Sequence, residues 1–145
     1  MMLLVAMSFG SLCSAREVSS VSGEDGIRAD AERGFVEIIA LWHDKNYDGL
    51  YDRTISRGSM TRKAFAGRLA TAPFKPACCW QQVQDIRVTV KNDNTVTVRA
   101  KIGIEGGGDT RYRVMSFKVR NVGGVWRISR TDILSLAGAR KKKQV

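Results

Sequence analysis

Histidine, proline and cysteine are scarce in this chain of 145 residues: one, two and three copies respectively. With His43 alone, paired-histidine metal spacing is excluded, and Cys13, Cys78 and Cys79 do not complete a Cys/His zinc site. The sequence also lacks a P-loop, a G-x-S-x-G nucleophile turn and a dinucleotide fingerprint. Gly106-Gly107-Gly108 joins two strand-like runs and opens no helix, so it reads as a turn rather than a phosphate cradle. No metal site and no cofactor is expected. Acidic residues are few as well: 14 Asp and Glu against 24 Lys and Arg, a formal net charge of +10. No apolar run reaches the length of about 20 residues that a membrane helix needs.

The longest uncharged stretch is residues 1–15, MMLLVAMSFGSLCSA, which ends in the small-x-small pattern Cys13-Ser14-Ala15. That pattern predicts signal-peptidase cleavage after Ala15 and an exported protein, periplasmic or secreted, with no integral membrane segment left. A basic n-region is missing; a start upstream of Met1 is one explanation, and an uncleaved apolar N-terminus is the other reading. Leu12 before Cys13 disfavours lipidation. Residues 16–26 are polar and Ser-rich and read as a flexible lead-in, and residues 137–145, with RKKK at 140–143, as a basic disordered tail.

Between them lies alternation. In residues 80–136, Ile86, Val88 and Val90 oppose Arg87, Thr89 and Lys91. Val96, Val98, Ala100, Ile102 and Ile104 likewise oppose Thr95, Thr97, Arg99 and Lys101. Period two is the mark of a half-buried strand. Val83 is out of phase with Ile86, which predicts a bulge near Gln84 and Asp85. A similar phase change from Tyr112 and Val114 to Met115, Phe117 and Val119 predicts a second bulge. VWRISRTDIL reads as the last strand. Asn92-Asp93-Asn94, Gly106 to Asp109, and Asn121 with Gly123-Gly124 supply the turns of a meander.

Upstream the period is helical. Ala31, Phe35, Ile38, Ile39 and Trp42 recur at three- and four-residue spacing, predicting an amphipathic helix over 27–47. A short helix over 50–55 follows, then a third capped by Thr61 and ended by Pro73 and Pro76. The expected fold class is α+β: three N-terminal helices packed on a strongly curved, four-stranded antiparallel meander sheet over 27–136, because a one-sided apolar sheet must bury that side.

The helix ending in LWHDKNYDGLYD, then SMTRKAFAGRL, then a bent meander closing in GGVWRISRTDIL, resembles the nuclear transport factor two-like superfamily. The resemblance implies a cone-shaped pocket between sheet and first helix, and homodimers through the sheet. It says little about activity, since the superfamily hosts isomerases, dehydratases and non-catalytic subunits alike. Enzymes of this fold place Asp, His or Tyr in the cone. Here the candidates for a general base are His43 and Asp132, with Tyr47, Trp80, Trp126 and Arg130 as pocket residues.

Two further features are open in the sequence. Cys78 and Cys79 are adjacent and read either as free thiols, one buried where the sheet begins, or as a redox-labile vicinal disulfide or a link to a partner. Arg87, Lys91, Arg99, Lys101, Arg111 and Arg113, joined by Arg127, occupy polar alternation positions and predict a basic outer sheet face. Such a face is a solvated surface guarding the sheet, or an attractor of anionic lipids, cell-wall polymers or acidic proteins. The expected function is a non-catalytic binding module of the cell envelope, its partner a small apolar ligand in the cone or an acidic envelope component on the face. Nucleic acid is disfavoured by export and by the absence of interleaved aromatics. A small-molecule enzyme of isomerase or dehydratase type is the alternative.

Overall fold

Residues 23–139 are described by the computed structural model. Along them run α1 (Gly23–His43), α2 (Tyr47–Asp52), β1 (Thr54–Ile55), α3 (Arg62–Ala70), β2 (Lys75–Pro76), β3 (Val83–Asn92), β4 (Thr95–Gly106), β5 (Asp109–Val122), β6 (Val125–Ser129) and α4 (Arg130–Leu136). The predicted leader and the RKKK segment lie outside the described residues.

The architecture is α+β on an open, mixed sheet of six strands. β4, β5 and β6 form the antiparallel heart of the sheet, and β3 pairs with β4. Every second residue of β4 from Val96 to Ile104 is buried, as alternation requires of a strand with one covered face. α1 lays Ala31, Phe35, Ile38, Ile39 and Trp42 on that face, all essentially inaccessible, and the Phe35 and Phe117 rings meet at 5.0 Å. Ile133, Leu134 and Leu136 of α4 close one end of the core. Asn46 caps α2 by accepting from the Gly49 amide, and Thr61 caps α3 by accepting from the Ala64 amide. Each cap satisfies one of the amides that a helix start leaves without an intrahelical partner.

Two short strands extend the expected meander. β1 runs parallel to β6, with Thr54 opposite Ile128 and Ile55 opposite Ser129. β2 pairs with the end of β4 beyond β3, on the same edge. The seam between β2 and β3 lies at Gly103, whose carbonyl accepts from the Ala77 amide at 2.8 Å and whose amide donates to the Gln82 carbonyl at 3.2 Å. Residues Cys79–Gln81 form a single 3₁₀ turn there, with the Gln81 carbonyl packed against Gly103.

The last strand is shorter than its sequence pattern suggests. β6 ends at Ser129 and the chain turns into α4, so Arg130 and Asp132 belong to a helix and the strand parity assigned to them does not apply. Among the described residues there are thus four α-helices rather than three, and α1 begins at Gly23, inside the expected lead-in. Ala137 and Gly138 also hydrogen-bond back to α4, so the segment read as tail begins ordered. The bulge in β3 is present: three steps from Gln84 to Arg87 face two from Lys101 to Arg99, and Asp85 takes a φ of 53°. The bulge in β5 is not. Its register against β4 is unbroken from Arg120 to Asp109, so Tyr112 and Val114 simply point outward. Among the described residues no helix is long and apolar enough to cross a membrane.

α1 approaches β6 closely enough that Gly34 lies against the Trp126 side chain. Arg53 ties the two together, donating from Nε to the Trp126 carbonyl at 2.9 Å and from a guanidinium nitrogen to the Gly34 carbonyl at 3.2 Å. At the seam, any Cβ on Gly103 would collide with the Gln81 carbonyl oxygen, a backbone atom with no rotamer to escape into. Gly103→Ala is expected to destabilise the fold by about 3 kcal/mol, read from the urea midpoint at unchanged slope. A loss below about 0.5 kcal/mol would mean that residues 77–82 do not pack on β4 as described.

Candidate functional site

The unbroken β4–β5 register decides which cations share a face. Arg99, Lys101, Lys118, Arg120 and Arg127 point outward, and Arg87 joins them from β3 across from Arg99. Lys91 is exposed at the irregularity before the β3–β4 turn. Arg111 and Arg113 do not belong to this face. They share parity with Phe117 and Val119 and lie on the helix side. There the Arg111 guanidinium approaches the Phe74 ring at 5.8 Å, and Arg113 donates to the Ser135 carbonyl at 3.3 Å. The bulge expected in β5 would reverse the faces of Arg111 and Arg113 alone; Lys118 and Arg120 lie beyond it and face outward with or without it. Their alternation with Phe117 and Val119 is the signal that could have found them.

Two cross-strand pairs on the outer face are arginine against arginine: Arg87 with Arg99, and Arg120 with Arg127. Like charges directly opposite destabilise a sheet. The second pair opens into a cleft of about 750 Å³ at the common C-terminal end of the parallel strands β1 and β6. Six basic residues line it: Arg57 from the loop after β1, Arg68 from α3, Lys118 and Arg120 from β5, Arg127 from β6 and Arg130 from α4. Ser56, Ser59, Ser129, Thr131 and Ser135 add hydroxyls, and no Asp or Glu is among the lining residues. Arg57 and Arg68 carry no sequence signal for this role, since only the folded chain brings them to β6.

Arg130 shows how the cleft is built. It is 7 % exposed, and its partners are neutral. Nε donates to the Thr54 hydroxyl at 3.0 Å, and a terminal nitrogen to the Met60 carbonyl at 3.4 Å. The guanidinium stacks over the Tyr51 ring at 4.0 Å and approaches the Phe65 ring at 5.7 Å. Tyr51 in turn donates its hydroxyl to the same Met60 carbonyl, which fixes the ring. Planar stacking suits arginine and would not suit lysine. Arg127 lines the same cleft, and its buried Nε has no hydrogen-bond partner among the described residues. A donor left so costs on the order of 1–3 kcal/mol. Arg127 also lies near enough to Asp52 to act on its carboxyl, which the hydrogen bond from Arg62 holds below the usual carboxylate value, with the charges of Arg62 and Arg127 contributing. Six clustered cations with hydroxyls between them can bind an anion. They offer no base.

The remaining candidates fall elsewhere. His43 is exposed at the end of α1, its Nδ1 3.1 Å from an Asp44 carboxylate oxygen. Asp132 is half-buried in the first turn of α4, and burial raises its carboxyl above the usual 3.8. Neither His43 nor Asp132 lines the cleft. Trp126 is core, its indole N–H donating to Asp30 at 2.8 Å, and Tyr47 packs half-buried against the core. The face where a cone pocket was expected is filled by Phe35, Ile39, Trp42 and Phe117. Trp80 is 72 % exposed, beside Cys78 and Cys79. The cysteines form a vicinal disulfide and are exposed, so neither is a buried free thiol.

Two outcomes follow from these electrostatics. Asp132 favours its neutral form in the fold, so its contribution to stability is complete below about pH 3.8 and is lost as pH rises through its elevated folded value. Asp132→Asn, which mimics the neutral acid, should match the parent in urea unfolding at pH 3 and exceed it at pH 7; equal differences at both pH values would refute the assignment. Arg99→Thr removes one like-charge pair and adds a strand-favouring residue. It should raise stability by about 0.2–1 kcal/mol in low salt, with the gain shrinking as salt is added.

No family model matches the chain and no curated protein matches it, so its function is read from the cleft and the face themselves.

Proposed function

We propose that this protein is a non-catalytic binding module of the cell envelope that takes an anionic ligand in the cleft at the end of β6. The observation that carries the reading is the cleft's composition: six basic residues and no carboxylate among those lining it. Charge gathered this way in a concave site focuses field and raises the local concentration of anions. Arg130 supplies a cation held in place by stacking and neutral hydrogen bonds, and Arg127 a second guanidinium on the cleft wall. The volume falls within the range usual for ligand sites, about 300–1,000 Å³.

The exported setting predicted from residues 1–15 is supported by the Cys78–Cys79 disulfide, since disulfides persist in oxidising compartments. We further read α1 against the sheet as the cone of the nuclear transport factor two-like superfamily, with its interior occupied by side chains rather than ligand. On this reading the ligand site lies outside the cone. The isomerase or dehydratase alternative gains no support from the geometry, because His43 and Asp132 lie outside the cleft.

Pyrophosphate is the simplest probe. It should raise the melting temperature of the full chain progressively with concentration, as any ligand of the native state does. Arg68→Glu and Arg120→Glu, which reverse charge on two separate walls, should each weaken binding at least tenfold by calorimetry while preserving the fold. A melting temperature indifferent to pyrophosphate in low salt would end the anion reading.

A further inference from the structure

The outer face carries more than scattered charge. The register places its side chains in transverse rows, and four successive rows each hold a cation. Lys101 lies opposite Val114. Arg87, Arg99 and Ser116 form the next row, then Thr89, Thr97 and Lys118, then Thr95, Arg120 and Arg127. Rows on one face are two residues apart, about 6.6–6.8 Å, so positive charge repeats at that interval over roughly 20 Å. No carboxylate occupies a paired position in these four rows; Asp85 is exposed at the β3 bulge, between the first two. The two rows containing Lys118 and Arg120 are also walls of the cleft, so the track leads into it. At the other end Gly103 with Tyr112, then Glu105 with Thr110, close it.

Two residues of strand span six backbone bonds. A polymer with six backbone bonds per negative charge, fully extended, advances by nearly the same length, about 7 Å, per charge. A phosphodiester chain linked through three-carbon units has that repeat. Lying along the strands it would present a phosphate to each row, with the hydroxyls of Thr97 and Ser116 available to its oxygens. A single-stranded nucleic acid shares the six-bond backbone but brings bases that need stacking surfaces. None of the four rows contains an aromatic residue. Tyr112, in the next row, has its ring approached by the Lys101 ammonium at 4.8 Å, and the exposed Trp80 lies beside the first row, its carbonyl accepting from Gln84 opposite Lys101.

We propose that this face is a linear docking track for a base-free phosphodiester polymer with a three-carbon repeat, its end seated in the cleft. The proposal rests on the anion reading of the cleft and adds the partner's class and orientation. It gives a use to Arg87 opposite Arg99, a pairing the sheet would otherwise be better without.

Poly(glycerol phosphate) of roughly ten units, compared with glycerol 1-phosphate on the full chain, tests it. Four phosphates engaged should give a slope of log K against log salt near −3, or about fiftyfold weaker binding between about 50 and 200 mM salt. The monomer should show a slope near −1. Arg87→Gln combined with Arg99→Gln, checked by thermal melting to be folded, should lower polymer affinity at least tenfold and flatten the slope by about 0.7. If the polymer binds no tighter than the monomer and with the same slope while pyrophosphate still binds, the track is refuted and the cleft stands. If pyrophosphate fails as well, both readings fall. A thymidine decamer binding as tightly as the polymer would overturn the assignment to a base-free partner.

Discussion

The unbroken pairing of β4 with β5 is the constraint on which the rest depends. Because side chains alternate with a period of two, a single slip would exchange the faces of every residue beyond it. With no slip from Thr95 to Gly106, Val96, Val98, Ala100, Ile102 and Ile104 all meet the helices, and Phe117 and Val119 join them from β5. The same register sends Arg99, Lys101, Lys118 and Arg120 to the other side. Core and cationic face are one arrangement seen from two directions. Neither could be changed by re-pairing the strands without losing the other.

The energies explain why the sheet tolerates so much like charge. Fully burying a Val, Leu, Ile or Phe side chain is worth roughly 1.5–3 kcal/mol, and the covered face holds many of them. A like-charge pair directly opposite subtracts only about 0.2–1 kcal/mol, less where water and salt screen it. Two arginine–arginine pairs therefore reduce stability without threatening the fold. Arg130 is a different case, since burial of an unpaired charge is costly unless hydrogen bonds and polarisable groups replace water. Thr54, Met60, Tyr51 and Phe65 provide that replacement. The structure invests neutral groups in keeping a cation buried and leaves carboxylates out of the cleft lining.

How much of this could be read from the sequence depends on how local the signal was. The stripe Ala31, Phe35, Ile38, Ile39, Trp42 and the alternation of β4 are properties of short windows, and both elements stand where their periods put them. The phase slip at Val83 correctly marked the β3 bulge. A like slip in β5 misleads, because apolar Tyr112 and Val114 stand on the uncovered outer face, in the rows of Gly103 and Lys101, rather than facing inward. Reading that pair inward misplaces Arg111 and Arg113, while Lys118 and Arg120 are legible from their alternation with Phe117 and Val119. The cleft was illegible for another reason. Arg57, Arg68 and Arg130 come from a loop, α3 and α4, and nothing within a window of sequence shows that they converge.

The turn after Ser129 has the largest consequence for function. Continued as a strand, residues 130–136 would have extended the pairing along β5 past Lys118, the partner position of Ser129 in the running register. Ending β6 there lets α4 bring Arg130, Thr131 and Ser135 to a space bounded by β1 and the outer cations of β5. It also places Arg130 at the start of α4, where its guanidinium reaches back over Tyr51 to Thr54. A sheet face alone is open and solvated, and its cations hold mobile counterions loosely. A concave end, closed by a helix and floored by a stacked arginine, supplies a fixed point from which a charge repeat can be read in register. The cleft gives the track an origin, and the alternation of β4 and β5 gives it a spacing.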